Sequence, residues 1–284
     1  MTGSAESGRV AFVLGGGGGP LGAHEVGMLA ALVERGIFPD LVLGTSVGAI
    51  NGAAFAADPT AGGVERLTAM WSAMQDGDVF SASLLGRVAT LARTRTHLHD
   101  DAPLRALLAG GLGGRRIEDL SLPFQCVAAS IERAGEHWFT EGPVVDAVLA
   151  SASVPGLLPP AEIGGEHFVD GGIVNSIPVN RAVELGATRI YVLHVGRLDR
   201  PLEPPRWPWE VGLVAFEIAR RHRVVGDLAA LPDGIEAHVL PTGWPDPPRY
   251  RDLSQLRYRD ASRVRERIAS AREATARHLE EQGL

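Results

Sequence analysis

The sequence predicts an α/β fold built on a mostly parallel sheet, and two observations carry that prediction. Short apolar segments of strand character alternate with helical segments through the first two thirds of the chain, a pattern typical of βαβ units. Two glycine-rich turns also lie close together, and each of them joins an apolar segment to a helical one. Both observations favour parallel strands that are connected by helices.

The individual elements follow from apolar spacing and from the residues that end each segment. The first strand is predicted at Val10–Leu14 and the second at residues 41–43. The helix at 22–35 has an apolar face and ends at Gly36, which suits the C′ position of a helix. The helix at 47–57 is rich in alanine, as expected for a helix packed closely on a sheet. Further strands are predicted at 123–131, 137–140, 166–169, 189–195 and 235–241, and further helices at 64–74, 83–92, 104–109, 143–151, 178–185, 211–231 and 260–282.

Composition limits the classes of protein to consider. A chain of 284 residues with 45% hydrophobic residues can bury one substantial core. The formal net charge of −7 gives no support to nucleic-acid binding. The single cysteine, Cys126, rules out an internal disulfide. We find neither a signal-peptide pattern nor an apolar run of about 18 residues, so we expect a cytoplasmic protein.

Lysine is absent from the sequence, since all 27 basic residues are arginine. This excludes the P-loop lysine of nucleotide hydrolysis and a Schiff-base lysine. It also excludes a Ser–Lys catalytic pair.

The turn Gly44-Thr45-Ser46-Val47-Gly48 fits the Gly-x-Ser-x-Gly pattern of a nucleophile elbow. In such a turn the serine hydroxyl stands at a helix N-terminus, where the helix dipole favours developing negative charge. A lone Gly-x-Ser-x-Gly match is weak in a glycine-rich protein, but its position between a strand and a helix favours a catalytic serine. We therefore take Ser46 as the candidate nucleophile.

The earlier loop, from Gly15 to Gly22, can offer bare backbone N–H groups to an oxyanion. It also fits the dinucleotide fingerprint Gly-x-Gly-x-x-Gly, which needs an acidic residue at the end of the second strand. Asp40 precedes that strand instead, so the nucleotide interpretation is the weaker one.

A serine needs a base, and Asp170 is the strongest candidate because it follows a short strand and precedes two glycines. By itself Asp-Gly-Gly is more typical of a plain hairpin turn. An α/β-hydrolase triad with His194 or His238 as the base is a second reading, since the chain order Ser…Asp…His fits. That fold places its elbow after more strands than precede Ser46 here.

Four motifs in a fixed order resemble the patatin-like phospholipase family. They are the glycine loop, the Gly-Thr-Ser-Val-Gly turn, an Ala-Ser-x-x-x-Pro segment at 150–155 and an Asp-Gly-Gly block at 168–178. The resemblance covers residues 9–195. It implies a three-layer α/β/α fold with a central mostly parallel sheet. It further implies one domain over residues 9–284, in which residues 196–284 form a helical and strand extension.

The resemblance also implies a reaction. Ser46 is the nucleophile, Asp170 takes its proton and later activates water, and the N–H groups of Gly17, Gly18 and Gly19 bind the oxyanion. No metal and no other cofactor is implied. The expected substrates are carboxylic esters of phospholipids or of other lipids. An acyltransferase on the same dyad and a non-catalytic acyl-lipid-binding protein remain open alternatives.

One position departs from the family pattern. The family's loop usually reads Gly-Gly-Gly-x-Arg-Gly, and Leu21 stands here in place of the basic residue. A leucine can neither hold an anionic group nor orient the loop through charge. This departure favours a neutral ester over a phospholipid head group.

Two further segments have competing interpretations. Trp207, Trp209 and the arginines 220, 221 and 223 could contact a lipid surface, although we favour tryptophans that cover the core and a solvated arginine cluster. The run His97-Leu98-His99-Asp100 invites a metal interpretation, but we favour a helix start with Asp101 as its N-cap.

Overall fold

The computed structural model describes residues 8–17, 21–76, 93–94, 96–195, 201–244 and 261–284. Its strands are β1 (Val10–Leu14), β2 (Leu41–Thr45), β3 (Phe124–Ser130), β4 (Gly135–Phe139), β5 (Ala161–Ile163), β6 (Glu166–Asp170), β7 (Arg189–Leu193) and β8 (Glu236–Leu240). These eight strands form one sheet in the order β5-β6-β3-β2-β1-β7-β8, with β4 also paired to β3. The neighbours β3, β2, β1, β7 and β8 run parallel to one another. β4 and β6 are antiparallel to β3, and β5 is antiparallel to β6.

The helices lie close to their predicted bounds. In chain order they are α1 (Gly22–Glu34), α2 (Val47–Ala57), α3 (Ala61–Asp76), α4 (Ala102–Leu112), α5 (Val144–Ser151), α6 (Val179–Glu184), α7 (Pro208–Ala229) and α8 (Ala261–Glu281). The predicted helix at 83–92 lies outside the described residues. The structure adds the short strand β5, which the sequence does not predict. It also begins α7 at Pro208, earlier than predicted, because proline suits the first turn of a helix. No helix in the described ranges is long and apolar enough to cross a membrane.

Helices cover both faces of the sheet, so the fold has three layers. Phe12 and Leu14 of β1 lie in a large cluster with apolar residues of α1, α2, α3, α4, α5 and α8. Ala11 and Val13, which point to the opposite face, lie in a smaller cluster with residues of α6 and α7. The predicted α/β/α fold with a central mostly parallel sheet is confirmed.

The register of β3 explains how two distant motifs meet. Thr45, the last residue of β2, pairs with Val127, and Asp170, the last residue of β6, pairs with Ala128. β4 pairs with one edge of β3 over the residues that take part in both pairings. β2 and β6 therefore both lie along the opposite edge of β3, one after the other. Ser46, which follows Thr45, is thereby placed beside Asp170.

Candidate active site

Ser46 lies in the sharp turn between β2 and α2 and has a strained backbone, with φ 55° and ψ −121°. Among the described non-glycine residues, only Ala134 shares a positive φ. Such strain costs on the order of 1–3 kcal/mol and is found at functional sites. The flanking glycines permit the turn: a Cβ on Gly44 would lie 2.6 Å from the carbonyl oxygen of Gly48, and one on Gly48 would collide with the carbonyl of Leu14.

The Ser46 hydroxyl donates a hydrogen bond of 2.5 Å to Oδ2 of Asp170. The other carboxylate oxygen, Oδ1, accepts the N–H of Gly172 at 2.7 Å. Only 7% of Ser46 and 5% of Asp170 is exposed to solvent. The pair is therefore a buried hydroxyl and a buried carboxyl in direct contact. The carboxyl is held in place by one hydrogen bond to each of its oxygens.

Burial dominates the electrostatics of this pair. It raises the pKa of Asp170 to about 6, because the ionised carboxylate loses its hydration; the hydrogen bonds from Ser46 and Gly172 act in the opposite direction. A carboxyl with that pKa is ionised at neutral pH and is still a stronger base than an exposed aspartate. It is thus suited to accept a proton from a hydroxyl.

The Ala-Ser-x-x-x-Pro segment holds both members of the pair, a role that the sequence did not reveal. Ser151 Oγ accepts the N–H of Ser46 at 3.0 Å and donates to the carbonyl of Val127 at 2.7 Å. Two residues on, the carbonyl of Ser153 accepts the N–H of Asp170 at 2.9 Å. One segment at the end of α5 therefore fixes the backbone of the nucleophile and of the carboxyl.

The glycine loop lies beside Ser46, but its N–H groups differ in whether they already have a hydrogen-bond acceptor. Gly15 N–H donates to the carbonyl of Leu193 at 2.9 Å and Gly16 N–H to that of Ser176 at 2.7 Å. Gly17 N–H has no acceptor among the described residues. Gly18 and Gly19 lie outside the described part of the chain. Of the three predicted oxyanion donors, Gly17 is therefore the one whose geometry can be assessed.

Neither candidate histidine contacts Ser46. His194 is buried beside Gly15, and neither of its ring nitrogens has a hydrogen-bond partner within the described ranges. Burial, and then the charges of Arg220 and Arg221, lower the pKa of His194 well below its usual range. His238 stacks on Tyr191 in β7 at a centroid distance of 5.2 Å. The structure does not assemble the alternative Ser–His–Asp triad.

A second buried carboxyl, which sequence reasoning missed, ties the loop's helix to the nucleophile's helix. Glu25 Oε2 accepts a hydrogen bond of 2.7 Å from Asn51 Nδ2, and Asn51 Oδ1 accepts one of 2.7 Å from Trp71 Nε1. Burial raises the pKa of Glu25 well above its usual range. The network joins α1, α2 and α3 directly behind the glycine loop.

Local contacts also bear on the nucleotide and helix-start interpretations. Asp40 Oδ2 accepts the N–H of Val10 at 2.8 Å, at the end of the sheet away from the glycine loop, where it cannot serve a nucleotide bound at that loop. Asp101 is the N-cap residue of α4, as predicted, although the capping bond comes from its neighbour: Asp100 Oδ1 accepts the N–H of Ala102. No group of three or more potential metal-ligating side chains occurs among the residues that the structure describes.

The favoured interpretation of the tryptophan and arginine segment is wrong for Trp207 and for the arginines. Trp207 is 57% exposed and does not cover the core, and the side chain of Trp209 lies outside the described part. The arginines are not a solvated cluster either. Arg220 and Arg221 bind Glu217, and Arg223 binds Glu136. The inward side of α7 carries these charges.

The chain is similar to known proteins. A family model described as Patatin-like phospholipase matches residues 12–183. Patatin-like phospholipase domain-containing protein 7 of Rattus norvegicus is 31% identical over 201 residues, which are 70% of this chain and 14% of that protein. Lysophospholipase NTE1 of Phaeosphaeria nodorum is 34% identical over 198 residues, which are 67% of this chain and 12% of that protein. The crystal structure of VipD from Legionella pneumophila covers 98% of this chain and 68% of its own, with a TM-score of 0.46 and 13% identity.

The fold is a three-layer α/β/α domain with a serine and a carboxyl paired at the end of the parallel sheet. The family model spans more than half of the chain's length, and the chain therefore belongs to the patatin-like phospholipase family. It matches only 14% and 12% of the length of the two curated relatives named above.

Proposed function

We propose that this protein is a serine acyl hydrolase that cleaves carboxylic ester bonds of lipids through a Ser46–Asp170 dyad and an acyl-enzyme. The observation that carries the proposal is the 2.5 Å hydrogen bond between the two buried side chains. The strained turn at Ser46 supports it, because strain of this kind is retained where a nucleophile has to be presented.

The dyad can complete the reaction without a third residue. Asp170 takes the hydroxyl proton as Ser46 Oγ attacks the ester carbonyl carbon, and the carbonyl oxygen becomes the oxyanion. Collapse of this tetrahedral species breaks the ester C–O bond, and the proton on Asp170 passes to the departing alcohol. Asp170 then takes a proton from water, which attacks the acyl-enzyme. The fatty acid leaves as the proton returns to Ser46.

The oxyanion is assigned to backbone N–H groups of the glycine loop. Gly17 is supported by its unused N–H, and Gly18 and Gly19 follow it in the loop. Donors fixed before the reaction stabilise the developing charge without reorganisation, which makes this the largest electrostatic contribution to such reactions. The proposal includes no metal and no cofactor.

Lipid esters are the proposed substrates, because relatives in the family are named as phospholipases and lysophospholipases. The test is hydrolysis of a short and a long p-nitrophenyl ester, a lysophospholipid and a diacyl phospholipid by wild type and by Ser46→Ala. Turnover of at least one lipid ester that Ser46→Ala abolishes is expected. A folded wild type that hydrolyses none of the four would contradict the proposal.

The pH profile should report the ionisation of Asp170. Because the carboxylate form is the base, we expect kcat/KM to rise with pH through about 6 and to reach a plateau near neutrality. His194→Gln and His238→Gln are the matched controls, and both should retain the wild-type profile. Loss of the acidic limb in either histidine variant would instead assign the base to that histidine.

A lipid surface is the second partner that we propose, and we assign the contact to the outward side of α7. Val211, Ile218 and Val225 recur at heptad spacing there and are each more than half exposed. Phe216 of the same helix lies against Gly172, next to the dyad: a Cβ on that glycine would lie 3.4 Å from the ring. An exposed apolar stripe on a helix that packs beside the site suits an enzyme whose substrate resides in a membrane.

The contact can be tested by co-sedimentation with phosphatidylcholine vesicles. Val211→Ser combined with Ile218→Ser should lower the bound fraction several-fold, because two apolar side chains lose their favourable transfer out of water. Turnover of a short water-soluble ester should be unchanged. Val239→Ser, on β8, is the control. Equal vesicle binding by wild type and the double variant would remove α7 from the proposed contact.

A further inference from the structure

Arg220 reaches from α7 to the glycine loop. Its Nε and Nη2 donate to the two carboxylate oxygens of Glu217 at 3.0 Å and 2.7 Å. The remaining nitrogen, Nη1, lies 3.5 Å from both the carbonyl oxygen of Gly16 and Oγ of Ser176. Only 10% of the Arg220 side chain is exposed, so its charge is weakly screened. Glu217 therefore holds a cation in one orientation against the loop.

Gly16 lies next to the nucleophile. A Cβ on Gly16 would lie 3.6 Å from Cβ of Ser46 and 3.2 Å from Oγ of Ser176. Its N–H is already held by the carbonyl of Ser176. The loop from Gly15 to Gly22 carries no charged side chain, so a charge that acts on it has to come from another element.

The peptide bond between Gly16 and Gly17 transmits this contact. No described peptide bond is cis, and in a trans peptide the carbonyl and the next N–H point in opposite directions. A cation that attracts Gly16 C=O toward α7 thus turns Gly17 N–H away from α7. Unlike the N–H groups of Gly15 and Gly16, that N–H has no acceptor among the described residues.

We propose that Arg220 is a positioning residue, which fixes the Gly16–Gly17 peptide so that Gly17 N–H is aimed at the oxyanion. The inference rests on the proposed acyl-hydrolase function. It adds to the proposed site a residue that lies about 200 positions from the loop in sequence. Arg220 acts through the backbone and need not touch the substrate. Its effect is therefore expected on the transition state and not on ground-state binding.

Steady-state kinetics on a p-nitrophenyl ester test this with Arg220→Gln, Arg220→Lys and Arg221→Gln. Arg220→Gln should lower kcat about 10- to 100-fold with KM changed less than about threefold, somewhat less than the loss of an oxyanion donor itself. The inhibition constant of a trifluoromethyl ketone, which forms an oxyanion on the serine, should rise in parallel. Arg220→Lys should recover part of kcat.

Arg221→Gln is the matched control, because Arg221 donates to the same Glu217 carboxylate and the charge removed is equal. It should remain near wild type. Unchanged kcat in folded Arg220→Gln, or an equal loss in Arg221→Gln, would overturn the positioning role and leave the proposed function intact. Absence of turnover in wild type and Arg221→Gln alike would overturn the proposed function, and the positioning role with it.

Discussion

Asp170→Asn is expected to lower kcat/KM by about 10²- to 10⁴-fold while the protein stays folded. The asparagine has the same shape and can still accept the N–H of Gly172, but it cannot take a proton from Ser46. The loss should be largely in kcat, because the side chain contacts the nucleophile. Ester turnover within a few-fold of wild type would show that Asp170 is not the base.

The same substitution should change stability in the opposite direction. The pKa of Asp170 is raised from 3.8 to about 6 in the folded protein, so folding favours the protonated carboxyl. Its stabilising contribution is complete below pH 3.8 and is lost as the pH rises toward 6. Asparagine has no such titration. Above pH 6, Asp170→Asn should therefore be more stable than wild type by on the order of 2–3 kcal/mol, with little difference near pH 4.

Urea unfolding of both proteins at pH 4 and pH 8 measures this difference. The combination of lower activity and higher stability separates a catalytic role from a structural one, because a damaged fold would lose both. Asp170→Asn that is less stable than wild type at pH 8 would contradict the account of a buried, ionised base.

Gly48→Ala is expected to be strongly destabilising. Its Cβ would collide with the carbonyl oxygen of Leu14 and lie 2.5 Å from the carbonyl carbon, and neither backbone atom can rotate away. Overpacking that forces the backbone to move costs about 1–3 kcal/mol and occasionally more. The shift of α2 would also carry Ser46 away from Asp170, so activity should fall with stability.

Gly110→Ala provides the control for that substitution. Gly110 is exposed in α4, and a Cβ there meets nothing within 4 Å. Alanine should therefore stabilise the protein by about 0.5–1 kcal/mol through helix propensity. Urea midpoints that are equal for Gly48→Ala and wild type would contradict the close contact between α2 and β1.

The elements that could be predicted from sequence are those determined locally. The strand at Val10–Leu14 and the helix at Val47–Ala57 have their predicted bounds, because apolar spacing and turn glycines act over a few residues. Motifs alone predict Ser46 and Asp170 as the candidate pair, and the structure places them in contact. Their roles in catalysis stay predictions.

The features that could not be predicted depend on register and on distant contacts. No residue near Asp170 in the sequence indicates that β6 pairs with the same edge of β3 as β2 does, directly after the point where β2 ends. The scaffold role of Ser151 depends on that same meeting point. The spacing of the α7 arginines is also compatible with a solvated cluster, and only the fold reveals that Arg220 and Arg221 lie inward with Glu217 and that Arg223 meets Glu136 of β4.

Labelling by a fluorophosphonate, followed by peptide mapping with mass spectrometry, tests the central claim most directly. The reagent forms an Oγ–P bond with an activated serine and releases fluoride. We expect one adduct, on Ser46, in the wild type, no adduct in Ser46→Ala, and strongly slowed labelling in Asp170→Asn. Folded wild-type protein that takes no label, or an adduct on another serine, would contradict a Ser46–Asp170 dyad.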